Sequence, residues 1–137
     1  MQAVIDTNIL FSGLAPASPY FRLMEGIYTQ SVTLLVSTPI LLEYEEILRK
    51  VYSESILQNF FDFLHISDNV VFVNPTYRFQ LPYEDADDQK FVDCAVCGQA
   101  DFLITNDRHF RRLQNVSFPR VVVITGKEFL KRYLRQD

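Results

Sequence analysis

The chain has 137 residues, 48 % of them hydrophobic, and a formal net charge of −4. That is long and apolar enough for one domain with a real core, and too apolar to be disordered. It opens on no basic or long apolar leader and holds no apolar run of bilayer length, so the expectation is a soluble, cytoplasmic protein with no membrane partner.

The first predicted element is a strand, Ala3-Val4-Ile5, an apolar run suited to burial on both faces of a sheet. It runs straight into Asp6-Thr7-Asn8. In open α/β sheets ligands collect outside the carboxyl ends of the strands, which is where Asp6 stands. The plainer alternative is that Asp6 or Asn8 caps the next helix. Ile9 to Ala15 reads as a short apolar connection punctuated by Gly13 and Pro16, and Ser18-Pro19 starts a helix that reaches about Tyr28. Thr33 to Val36 is the second strand and stops at Ser37-Thr38-Pro39, a cap followed by proline. The helix beyond has one stripe: Ile40, Leu41, Tyr44, Ile47, Leu48 and Val51.

Ser53 or Glu54 begins a helix through Leu57, Phe60, Phe61 and Leu64. Val70 to Val73 is the third strand, followed by a loop over 74–84. A helix then opens on Glu84-Asp85-Ala86-Asp87-Asp88, continues through Phe91, Val92, Ala95 and Val96, and closes near Gly98. Phe102 to Ile104 is the fourth strand, ended by Thr105-Asn106-Asp107. Val121 to Ile124 is the fifth, and Lys127 to Arg135 the last helix. Strands alternating with helices imply parallel βαβ units covered on both faces, hence one α/β/α domain spanning residues 1–137.

Charge is unevenly placed. Residues 1–107 carry five Lys/Arg against 15 Asp/Glu, whereas residues 108–137 carry eight against two. Such asymmetry points to a polyanion-binding surface. Lys131, Arg132 and Arg135 are equally explained by a C-terminal helix dipole. Arg108, Arg111 and Arg112 follow a strand end instead and are the candidate nucleic-acid contacts. The two cysteines, Cys94 and Cys97, lie in a helical pattern with no second pair to complete a zinc site, and read as structural.

The carboxylates form a constellation. If the first and fourth strands are neighbours they lie roughly 5 Å apart, which brings Asp6 and Asp107 to one rim. Asp88 precedes Phe91 by three, Val92 by four and Ala95 by seven, so it shares the face that packs on the sheet, whereas Asp87 and Asp93 align less well. Glu43 and Glu45 flank their helix stripe on opposite sides, and periodicity does not choose between them. Glu43 is the nearer to the strand ends. Two unit charges 4 Å apart repel by about 4 kcal/mol at an effective dielectric of 20. Protonation relieves that repulsion, and so does a divalent cation. Oxygen donors with no Cys or His set suit Mg²⁺ or Mn²⁺. His65 lies far from these ends and reads as structural, while His109, two residues after Asp107, is a candidate to touch substrate.

The pattern Ala-Val-Ile-Asp6-Thr7-Asn8, a glutamate on the helix after the second strand, Asp-Asp88-x-x-Phe-Val-x-x-Ala, and Leu-Ile-Thr105-Asn106-Asp107 resembles that of PIN-domain ribonucleases. It is most similar to the branch that supplies toxins of bacterial and archaeal toxin–antitoxin pairs. The resemblance implies a five-stranded parallel sheet of order 3-2-1-4-5. It implies Asp6, Glu43, Asp88 and Asp107 as the metal and catalytic carboxylates, with Asn8 and Thr105 orienting carboxylates or water. It implies hydrolysis of RNA phosphodiester bonds with Mg²⁺ or Mn²⁺, leaving 5′-phosphate and 3′-hydroxyl ends, a cognate antitoxin protein as partner, and a homodimer. Some members of the family carry a further carboxylate where this chain has Arg108 and His109, which puts a second tightly held metal in doubt. Two rivals stand beside this reading. One is a PIN-like module that binds RNA or an antitoxin without cutting. The other is a receiver-type signalling domain, which Thr105 and Lys127 fit, although the third strand ends on Val73-Asn74-Pro75 and not on a phospho-accepting aspartate.

Overall fold

The computed structural model describes residues 1–76, 86–115 and 120–134. Five strands form one parallel sheet: β1 (Gln2–Ile5), β2 (Thr33–Val36), β3 (Val70–Phe72), β4 (Phe102–Ile104) and β5 (Val123–Ile124). Their order is β3-β2-β1-β4-β5. This is the order implied by the resemblance, and it separates the chain from receiver domains, whose first strand lies between the second and third. Six helices connect and cover the strands: α1 (Thr7–Gly13), α2 (Phe21–Tyr28), α3 (Thr38–Arg49), α4 (Glu54–Ile66), α5 (Ala86–Cys97) and α6 (Gly126–Tyr133). A 3-10 segment spans Arg108–Asn115. The result is a three-layer α/β/α arrangement.

The sheet sorts its residues by position. In the central strand Ala3, Val4 and Ile5 are fully buried, because β2 and β4 flank β1 and helices cover both faces. At the β3 edge, Val71 and Phe72 stay 41 % and 50 % exposed. The stripe of α3 buries Ile40, Tyr44 and Leu48 but not Val51, which lies past the end of the helix and is exposed. α4 starts at Ser53, whose side chain accepts from the Ile56 amide, and buries Leu57, Phe60 and Leu64. α6 starts likewise, with the Thr125 hydroxyl accepting from the Glu128 amide at 3.2 Å.

Several boundaries differ from the sequence reading. The second helix starts at Phe21 with Tyr20 as its cap, not at Ser18-Pro19, and β3 ends at Phe72, one residue early. The stretch after Asp6 is a helix and not a connection: the Asp6 carbonyl accepts from both Ile9 and Leu10 amides at 3.1 Å, and Ile9 and Leu10 are buried. Residues after Asp107 form the 3-10 segment, held down by buried Phe110 and Leu113. β5 shortens to two residues. The expected loop beyond Thr76, the expected helix start at Glu84-Asp85 and Arg135 lie outside the described residues. No helix among the described residues is long and apolar enough to cross a membrane.

Candidate active site

Register builds the site. Ala3, Val4 and Ile5 pair with Phe102, Leu103 and Ile104. Pairing runs one residue further, because the Asp6 amide donates to the Ile104 carbonyl at 3.0 Å. Asp6 therefore leaves the sheet beside Thr105, and the Thr105 hydroxyl donates to Asp6 Oδ2 at 2.7 Å. The same hydroxyl oxygen accepts from the Asp107 amide at 3.0 Å. One threonine thus joins the two strand-end acids. Asp6 occupies the N-cap position of α1 in its backbone, but its side chain makes no capping bond. The capping alternative does not account for this carboxylate.

Asp6 is buried, and desolvation pushes its carboxyl above the ordinary value. The Thr105 hydroxyl and the Thr7 backbone oppose that shift, while the charges of Glu43 and Asp107 add to it.

Glu43 and Glu45, equivalent by periodicity, part company in three dimensions. Glu43 turns inward, where it accepts from the Thr7 hydroxyl and forms an ion pair with Lys90 Nζ at 2.8 Å. Glu45 pairs with Arg49 at 2.8 Å at the surface. Tyr44, fully buried between them in sequence, donates its hydroxyl to the Ile5 carbonyl and ties α3 to the end of β1.

Asp88 lies in the first turn of α5 and is half-buried, as are Gln89 and Lys90 beside it. Phe91, one turn on, meets Phe110 edge-to-face at 6.4 Å, so the start of α5 is packed against the 3-10 segment. That contact gathers Asp88, Asp107 and His109, each offering one ligand atom within 4.8 Å of the others. Asp107 Oδ1 accepts from the His109 amide at 2.9 Å and faces His109 Nδ1 at 3.1 Å. Asp93, expected off the packed face, is buried and accepts from Gln89 Nε2 at 2.8 Å.

The remaining expected residues are placed as follows. Asn8 is exposed, and among the described residues its side chain makes no hydrogen bond, so nothing here supports an orienting role. Arg108, Arg111 and Arg112 are all exposed on the 3-10 segment that begins just after Asp107. His65 stacks on Phe72 at the far edge of the sheet. Cys94 and Cys97 are unbridged, and burial pushes the Cys94 thiol up to about 12.

Three residues went unrecognised in the sequence. Thr7 and Lys90 hold Glu43 from two sides. Lys90 follows Asp88 by two, a spacing that helical periodicity sends to another face, and only its long side chain carries it back. Asn106 accepts from the Gly126 amide at 3.1 Å and donates to the Tyr20 hydroxyl at 2.9 Å, pinning the loop that holds Thr105 and Asp107. Its place between those two residues was the available signal.

Among the described residues Asp88, Asp107 and His109 come together as candidate ligands, while Glu43 is held by Thr7 and Lys90 and Asp6 by Thr105; the donors are mostly carboxylate oxygens. That chemistry fits Mg²⁺ or Mn²⁺, which take carboxylates and water and leave room for phosphate oxygens.

The comparisons with known proteins agree with this architecture. The chain is similar in structure to VapBC2 from Rickettsia felis bound to a DNA fragment from their promoter, with a TM-score of 0.62 at 16 % identity over 91 % of this chain and 98 % of that one. It is similar also to FitAcB from Neisseria gonorrhoeae, with a TM-score of 0.56 at 15 % identity over the same shares of each chain. At such identities the likeness is one of fold. No curated protein sequence matches. A family model described as the PIN domain matches residues 2–109, which takes in Asp6, Glu43, Asp88, Asp107 and His109, and the chain belongs to the PIN-domain family.

Proposed function

We propose that this chain is one nuclease domain that hydrolyses RNA with Mg²⁺ or Mn²⁺, and that it is the toxin of a toxin–antitoxin pair. The observation that carries the proposal is the convergence of charge at the sheet rim. Glu43 and Asp107 both act on buried Asp6, while Asp88 approaches Asp107. Buried, mutually repelling carboxylates are costly to a fold, and their concentration at strand ends is expected where a cation and a phosphate are handled.

In this reading Asp6, Glu43, Asp88 and Asp107 hold the cation. When bound, it supplies charge stabilisation for the phosphate and leaving oxygen and a lowered pKa for water. The chain's own residues do the positioning. Thr105 fixes Asp6 relative to Asp107, and Thr7 with Lys90 fixes Glu43. Arg108, Arg111 and Arg112, exposed beside the acids, hold the RNA backbone through its phosphates, a contact indifferent to base identity. The antitoxin partner rests on the motif resemblance together with the fold shared with VapBC2 and FitAcB.

A second reading is favoured by one observation: Lys90 already neutralises Glu43. A PIN-like module that binds RNA or an antitoxin without cutting has no need of a cation there. Incubation of a labelled single-stranded RNA with the protein and Mn²⁺ separates the two. Cleavage that stops with chelator and leaves 5′-phosphate and 3′-hydroxyl ends supports the nuclease. Retention of RNA with no cleavage across Mn²⁺ and Mg²⁺ supports the binding module.

A further inference from the structure

We propose that His109 is a nitrogen ligand to the divalent cation, alongside Asp88 and Asp107, and that it tilts the site toward Mn²⁺ over Mg²⁺. The inference rests on the metal-site reading above and adds a ligand to it.

The ligand atoms of Asp88, Asp107 and His109 lie within 4.8 Å of one another. His109 Nδ1 stands 3.1 Å from Asp107 Oδ1. Two ligands at right angles on a cation with bonds near 2.1 Å stand about 3 Å apart, so a shared ion fits between these two atoms with little movement, in place of the ion pair they make without one. The backbone beneath is held in place: the His109 amide donates to Asp107, and the adjacent Phe110 is fully buried. The imidazole itself is 69 % exposed, so it fills no core space. By the resemblance, some members of the family carry a further carboxylate where this chain has Arg108 and His109. Exchanging a carboxylate for an imidazole changes the cation preferred. Nitrogen donors suit transition ions, whereas Mg²⁺ keeps to oxygen and water.

The test needs no activity. Metal-free protein is loaded with Mn²⁺ and read by pulsed electron paramagnetic resonance for nitrogen modulation, with Mn²⁺ and Mg²⁺ affinities taken by calorimetry. The chain has two histidines, so His65→Gln is the control. The wild type and His65→Gln are expected to show imidazole nitrogen, and His109→Gln to lose it. Outer-shell partners of metal ligands are worth ~10–100-fold in affinity, so His109→Gln is expected to bind Mn²⁺ at least about tenfold more weakly, with Mg²⁺ affinity nearly unchanged. Bound Mn²⁺ without nitrogen modulation in the wild type overturns the His109 assignment, reduces His109 to an ion-pair partner of Asp107, and leaves the carboxylate site standing. Absence of Mn²⁺ binding overturns both.

Discussion

Burial governs Asp6. Desolvation, with the charges of Glu43 and Asp107, holds its carboxyl above the ordinary value of 3.8, so the folded chain keeps that proton to higher pH than the unfolded chain does. Stability of the metal-free protein therefore falls as pH rises from 3.8 through the folded-state value, and the deficit persists at neutral pH. Asp6→Asn removes the charge and keeps an oxygen to accept from Thr105. In chelator the variant is expected to melt above the wild type at pH 7 and level with it below pH 3.8, as followed by circular dichroism. A variant less stable than wild type at pH 7 contradicts the cluster. Asp6 and Thr105 were legible in the sequence because a strand end marks each. Periodicity did not separate Glu43 from Glu45, because both flank one stripe; nearness to the strand ends and the resemblance favoured Glu43, which Thr7 and Lys90 hold inward.

At the scale of elements, periodicity identified α3, α4 and α5 but not α1. A seven-residue helix offers two turns, and Gly13 with Pro16 reads as loop punctuation. The 3-10 segment was hidden for a related reason, since its period of three leaves only Phe110 and Leu113 as apolar anchors. The end of α5 is tightly constrained. A Cβ on Gly98 would come within 2.9 Å of the Cys94 carbonyl oxygen, Leu35 Cδ1 and Val73 Cγ2. Gly98→Ala is expected to destabilise the fold by about 1–3 kcal/mol, the usual cost of overpacking, in urea unfolding. No loss of stability means that the helix end has room to shift.

Across the whole molecule, sheet order joins what sequence order separates. β1 and β4 lie side by side although about a hundred residues apart, and this brings Asp6 to Asp107. Alternation of strands and helices sufficed for a parallel sheet. The order of its strands came from the resemblance, since local patterns carry no information about which strands adjoin. Charge is also organised at this scale, with an acidic rim beside a basic segment whose Arg108, Arg111 and Arg112 face solvent. Replacing all three by Gln is expected to weaken RNA binding and to flatten the slope of log affinity against log salt by about 2, at ~0.7 per single-strand phosphate contact. An unaltered slope places the RNA elsewhere.

The central claim, that the rim carboxylates hold a catalytic cation, is tested most directly by Asp107→Asn assayed for RNA cleavage across a Mn²⁺ titration. Asparagine still accepts from the His109 amide, so a structural role at the start of the 3-10 segment survives. A folded variant is expected, at least as stable as the wild type in chelator, that loses on the order of 100-fold in cleavage and needs more Mn²⁺ for what remains. A folded Asp107→Asn protein that cleaves as fast as the wild type at the same Mn²⁺ concentration contradicts the account.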